Sequence, residues 1–240
     1  MKYNILKLFV IVLTTLTLAG SNKAAPLAED VGDVESFGRS ALYMGASSGS
    51  FRLDDDCAAA PSPTPSGHCS NLNPAPALTT FTADEVCRIK LPKKATRSII
   101  YPALNFFVNY QLRNSTGVDQ PQGLFNYTAT LSIESAALLN PAIIDPATGL
   151  PANGKLTNQF SYIYRDDRSM KDGDRHRQRV TLVRVGNAGI NKTQLVAQGL
   201  SQAVVDALFA SEMTIKMNVT GGAKLVTDAS VTCNMRLFGD

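Results

Sequence analysis

Leu104-Asn105-Phe106-Phe107-Val108-Asn109-Tyr110-Gln111-Leu112-Arg113 and, one turn later, Phe125-Asn126-Tyr127-Thr128-Ala129-Thr130-Leu131-Ser132-Ile133-Glu134 decide the fold. In the first run Leu104, Phe106, Val108, Tyr110 and Leu112 alternate with residues that are polar except for Phe107. In the second, Phe125, Tyr127, Ala129, Leu131 and Ile133 stand opposite Asn126, Thr128, Thr130, Ser132 and Glu134. A period of two with one apolar face is the pattern of a half-buried strand, because successive side chains leave a strand on opposite sides.

The same pattern continues outward. Gln159 to Tyr164 and Val180 to Val185 read as another strand pair. Met213, Ile215, Met217 and Val219 alternate before Gly221-Gly222, and Val231, Cys233, Met235 and Leu237 close the series. About eight strands of this kind favour an all-β, antiparallel two-sheet β-sandwich, jelly-roll or Ig-like, over a parallel sheet whose strands would be apolar on both faces. Ser40 to Leu53 reads as a hairpin turning at Gly45-Ala46-Ser47-Ser48-Gly49. Pro61, Pro63, Pro65, Pro74 and Pro76 make 58–77 a proline-rich loop that excludes a central strand or a helix. One segment changes period: from Asn191, Val196, Leu200, Val204 and Leu208 recur at helical spacing, with Gln194 completing a capping box. The helical crossover is expected at about 191–210, divided at Gly199-Leu200-Ser201, as a lid over the sandwich core.

The amino terminus has the plan of a secretory signal peptide over 1–21: Lys2 and Lys7, an apolar stretch from Leu8 to Leu18, then Ala19-Gly20-Ser21. The stretch is short for a membrane span, so none is expected in the mature chain. A flexible leader over 22–39 and a single sandwich domain over 40–240 follow. Loss of Lys2 and Lys7 brings the formal charge of +3 close to neutral, which argues against general attraction to nucleic acid. The destination is secreted, periplasmic or the cell surface.

Cysteines fit that compartment. Cys57 and Cys69 bracket the first half of the proline-rich loop and are expected to bond locally. Cys87-Arg88-Ile89-Lys90-Leu91 and Cys233-Asn234-Met235-Arg236-Leu237 share one pattern with the cysteine on the apolar face, so Cys87 and Cys233 are expected to bond across the core. Neither belongs to a Cys-x-x-Cys arrangement, so redox catalysis is not implied.

Catalytic chemistry is sparse. His68 and His176 are the only histidines and lie in separate polar segments, so no histidine-rich metal site or serine–histidine triad is expected, nor any cofactor. Asp54-Asp55-Asp56 reads as a solvated turn, lacking the ligand spacing of a calcium loop. Four sequons begin at Asn114, Asn126, Asn191 and Asn218. The distinctive polar feature is 165–179, read as a charged loop in which Arg165, Arg168, Arg175, Arg177 and Arg179 are ligand-binding candidates among Asp166, Asp167, Asp172 and Asp174. Guanidinium forks suit sulfate, phosphate or carboxylate groups. The expected function is a non-enzymatic structural or surface protein of the fibre, coat or adhesion type, with self-assembly or a surface glycan or protein as partner. A glycan- or anion-binding module using the arginine-rich segment is the second reading, and a secreted hydrolase the third.

Overall fold

Residues 42–58, 67–186 and 189–240 are described by the computed structural model of the chain. The signal peptide and leader expected over 1–39 lie outside them. Among the described residues ten strands follow in order: β1 (Leu42–Asp54), β2 (Gly67–Asn71), β3 (Thr79–Leu91), β4 (Ile99–Arg113), β5 (Gln120–Glu134), β6 (Lys155–Met170), β7 (Arg175–Val185), β8 (Ile190–Asn191), β9 (Met213–Lys224) and β10 (Val226–Gly239). Two helices, α1 (Lys192–Ala197) and α2 (Gln202–Ala210), stand between β8 and β9.

The strands form a sheet of order β2-β1-β10-β4-β7, with β8 also on β4, and a second of order β3-β9-β5-β6. All pairings are antiparallel except that of β1 with β2. Without the short strands β2 and β8, β1-β10-β4-β7 faces β3-β9-β5-β6, which is the strand order of a jelly roll. The alternating apolar residues meet between the layers. Tyr110 and Phe125 rings lie 4.5 Å apart, Phe106 and Tyr127 5.6 Å, and Phe51 and Tyr127 5.7 Å. Burying each such side chain contributes about 1.5–3 kcal/mol.

Three expectations change. The strong runs at 104–113 and 125–134 are strands, but they occupy opposite sheets, as do the runs at 159–164 and 180–185. Each connection is an arch that crosses from one sheet to the other, so alternation identified the strands without identifying their partners. Ser40 to Leu53 is not a hairpin, since β1 runs unbroken through 45–49 apart from a bulge between Tyr43 and Gly45. The small residues there serve close approach to β3: a Cβ on Gly49 would sit 1.7 Å from the Val86 carbonyl oxygen. The proline-rich loop is interrupted by β2, a five-residue edge strand free of proline and parallel to the end of β1.

The helical crossover forms as two short helices. Asn191 accepts the Gln194 backbone N–H at 2.7 Å and Ser201 caps α2 through Val204 N–H. Leu195, Leu200, Val205, Leu208 and Phe209 are buried, so the pair covers core between β8 and β9. At the end of β10, the Asp240 carboxylate accepts Thr96 Oγ1–H at 2.6 Å and the backbone N–H groups of Arg97, Ser98 and Ile99 at 2.9–3.2 Å. This clasp joins β10 to the turn before β4.

Candidate functional site

The segment 165–179 is not a loop. Arg165 to Met170 belong to β6 and Arg175 to Arg179 to β7, which leaves a short tip at 171–174. Long alternating strands on either side carry the pattern through the charged residues, whose side chains are therefore sorted by face. The sorting divides the five candidate arginines into two sets.

Arg165 and Arg168 are neutralised within their own strand. Arg165 pairs with Asp167, and Arg168 Nη2 lies 2.7 Å from Asp166 Oδ1. Asp167 is held below the usual carboxylate range, first by Arg165 and then by Gln122. Asp166 points between the sheets, where it also accepts the Tyr110 hydroxyl, with His176 Nε2 3.6 Å away. Burial, followed by the bond to Asp166, pushes the Tyr110 hydroxyl far above the ordinary tyrosine range. The Tyr110 and Tyr164 hydroxyls lie 3.1 Å apart. The cluster ties β4 to β6 across the sandwich, and its acidic and hydroxyl groups are committed to one another.

Arg175, Arg177 and Arg179 form the other set. In the register of β4 with β7 they stand opposite Arg113, Gln111 and Asn109. Opposed residues of an antiparallel pair share a face, and the core residues Val108, Tyr110 and Leu112 fix that face as the outer one. The three arginines therefore repeat about every 7 Å along β7, with Arg113 alongside Arg175. All four are exposed. Among the described residues none of them has a carboxylate within ion-pair distance. The carboxylates at the tip are turned to the backbone: Asp172 accepts Gly117 N–H at 2.9 Å and Asp174 accepts Lys171 N–H at 2.8 Å. Asp228 stands beside Gln111 on the same face, one strand further from β7.

Phe107 continues this face. It is 37 % exposed, and the Arg179 guanidinium lies 5.0 Å from its ring centroid. Ser230 and Arg52 extend the row of Arg179 and Asn109 across β10 and β1, with Arg52 paired to Asp54. The arrangement presents a row of guanidinium forks, one packed on an aromatic ring, to a multivalent anion. Arg113 was not among the sequence candidates. As the last member of the alternation at 104–113 it was legible as an outward residue, but its place beside Arg175 exists only in the register of β4 with β7.

The remaining sequence candidates are structural. Cys57 and Cys69 form a disulfide. Cys87 and Cys233 do not: both are buried free thiols. They lie on facing sheets, but Cys87 Sγ is directed at the Cys233 carbonyl oxygen, 3.5 Å away, in place of its sulfur. Asp56 accepts Ala58 N–H at 2.9 Å, as in a turn. The Asn114 sequon is not presented, because its fully buried carboxamide donates to the Val118 and Met170 carbonyls at 2.8 and 3.1 Å. An open groove of about 830 Å³ at one end of the four-stranded sheet carries Lys93 and Lys155 together with Glu134 and Glu212, a balanced lining without the one-signed charge of the arginine row.

No protein-family model matches the chain, and no curated protein matches it. Among solved structures it is similar to a chain of the IBDV viral particle at 9% identity and a TM-score of 0.23, covering 83% of this chain and 36% of that one. It is also similar to the infectious bursal disease virus VP2 subviral particle at 10% identity and a TM-score of 0.20, covering 71% of this chain and 34% of that one. The chain thus spans about a third of the length of these two structures. Likeness at this level carries no argument about family, and the jelly-roll assignment stands on the strand order of the chain itself.

Proposed function

We propose that the protein is a secreted, non-enzymatic surface protein of the fibre, coat or adhesion type that holds anionic glycans on the outer face of its six-stranded sheet. The observation that carries this reading is the contrast between the paired Arg165 and Arg168 and the unpaired row Arg113, Arg175, Arg177 and Arg179. Guanidinium groups at strand spacing meet successive sulfates or carboxylates of a linear polymer bidentately. Secretion is supported by the signal-peptide plan of residues 1–21 and by the Cys57–Cys69 bond, which persists in oxidising compartments. A structural role fits a frame whose interior polar groups, such as Asp166 and Asn114, are spent on tying arches and sheets together.

Retention on immobilised heparin, a sulfated polysaccharide, tests the reading. The mature chain should be retained at low salt and released as salt screens the guanidinium charges. Replacing Arg113, Arg175, Arg177 and Arg179 together by Ser should abolish retention with little change in melting temperature, since all four are exposed. Arg165→Ser should change it little. Equal retention of the fourfold variant and the parent would remove the proposal.

A further inference from the structure

The segment 135–154 joins β5 to β6 at the end of the sandwich away from the 171–174 tip, about 50 Å along β6. Its one charged residue is Asp145, which is 2% exposed. Every exposed residue from Leu139 to Pro151 is uncharged, and Leu139, Ile144 and Leu150 are 62%, 45% and 64% exposed. Apolar exposure concentrated in this way and rimmed by polar residues marks a contact site for a protein or a membrane. The segment is held in one shape by its own groups. Asp145 accepts Thr157 Oγ1–H at 2.6 Å and the backbone N–H groups of Thr157 and Ala147 at 3.1 and 3.2 Å. Its backbone N–H donates to the Leu150 carbonyl at 2.8 Å, and its carbonyl accepts the N–H groups of Thr148 and Gly149. Asn140 collects the N–H groups of Ala142 and Ile143, and Pro141, Pro146 and Pro151 have none. A loop whose donors are spent internally leaves water at small cost, which is the condition hydrocarbon imposes on any backbone that enters it.

At the base of the segment the charge is positive. Lys93 and Lys155 line the groove beside Leu139, and Lys94 is exposed next to Lys93. Both glutamates of that groove are held by lysines outside its lining, Glu134 by Lys216 at 2.8 Å and Glu212 by Lys90 at 2.9 Å. Among the described residues Lys93, Lys94 and Lys155 have no carboxylate within ion-pair distance. We infer that 139–151 is a membrane-contact loop, whose aliphatic side chains enter the interface of a bilayer containing anionic lipid while Lys93, Lys94 and Lys155 meet its headgroups. Apolar insertion and basic attraction are each marginal alone and effective together. The basic rim is what selects a lipid surface. Two copies meeting through this end would bring two sets of unpaired lysines to one interface, and the groove is open and charged, unlike the desolvated pocket that seats the anchor of a protein partner. The contact lies in the interface and does not cross the bilayer. It leaves the arginine row, toward the other end of the long strands, facing away from the lipid, and it does not depend on polyanion binding.

Co-sedimentation with vesicles of phosphatidylcholine alone, and of phosphatidylcholine and phosphatidylserine in equal parts, tests this. The mature chain is compared with its variant in which Arg113, Arg175, Arg177 and Arg179 are replaced by Ser, so that the arginine row cannot supply the attraction. Both proteins should bind the mixed vesicles, and bind phosphatidylcholine alone about tenfold or more weakly. Leu139→Glu with Leu150→Glu, both at exposed positions, should lower binding to mixed vesicles about tenfold or more, with melting temperature and heparin retention unchanged. The chain has no tryptophan, so Leu150→Trp supplies a sole reporter. Its emission should shift to the blue on mixed vesicles and be quenched by brominated acyl chains. Val118→Trp, at an exposed valine beside the opposite tip, should show neither effect. Failure of the arginine variant to bind mixed vesicles would overturn the inference, as would equal binding to the two vesicle types or an unquenched Leu150→Trp. Hydrogen-exchange protection of 139–151 on self-association, without vesicle binding, would assign the loop to a second copy and overturn it as well. Vesicle binding lost in the leucine variant while heparin retention persists separates this result from the fate of the glycan reading.

Discussion

Asp240 shows how much one carboxylate contributes when several donors converge on it. Burial works against its charged form, but hydrogen bonds from Ser98, Thr96 and the backbone at Ser98 and Ile99 outweigh that and hold the carboxyl well below the usual range. A group whose folded pKa is depressed contributes stability that is present above its unfolded value, about 3.9 for aspartate, and is lost as pH falls through the folded value. Asp240→Asn should therefore cost about 1.5–3 kcal/mol at neutral pH, the scale of hydrogen bonds to a charged group. The gap between parent and variant should narrow below about pH 4, where protonation removes the advantage of the carboxylate. Urea unfolding of both proteins across that range measures it, and a gap that stays constant to the lowest pH would refute the assignment.

At the scale of elements, what the sequence disclosed depended on whether the signal was local. Alternation is local, so the long strands were legible, as was the capped start of the crossover at Asn191. Pairing is not local. The same alternation suits a hairpin or an arch, and arches send the two most regular runs to opposite sheets. The arginine face has the same cause: Arg175, Arg177 and Arg179 were visible as a charged segment, but their separation from Arg165 and Arg168 required strand phase, and Arg113 required register. β1 is the clearest misreading, because small residues serve turns and close approaches equally well. Gly49→Ala tells the two apart. In a solvated turn it would be tolerated, whereas beside the Val86 carbonyl it forces β1 from β3 and should cost about 3 kcal/mol, at the upper end of overpacking effects. The denaturation midpoint of the variant gives the answer.

For the whole molecule, the layer between the sheets shields two thiols. Burial pushes the Cys87 thiol up to about 12, opposed weakly by the Ser47 hydroxyl, and raises Cys233 well above its ordinary value. Neither forms appreciable thiolate at neutral pH, and neither sulfur is reached unless the sheets part. Alkylation by iodoacetamide should therefore label two thiols per unfolded chain and almost none in the fold, at a rate that follows opening of the sandwich. Rapid labelling of folded protein would contradict this burial, and a fully oxidised unfolded chain would restore the bond that their sequence likeness suggested.

β10, the last of these strands in chain order, lies between β1, the first, and β4. The six-stranded sheet therefore has no centre until Val226–Gly239 is in place, and β1 cannot join β4 before it. Closing contacts over such sequence distances is slow, so β1 stays unpaired on its β10 side until Val226–Gly239 has been made. The same strand order that sets β10 between β1 and β4 makes the joining of the first strand to the rest of its sheet a late step of folding.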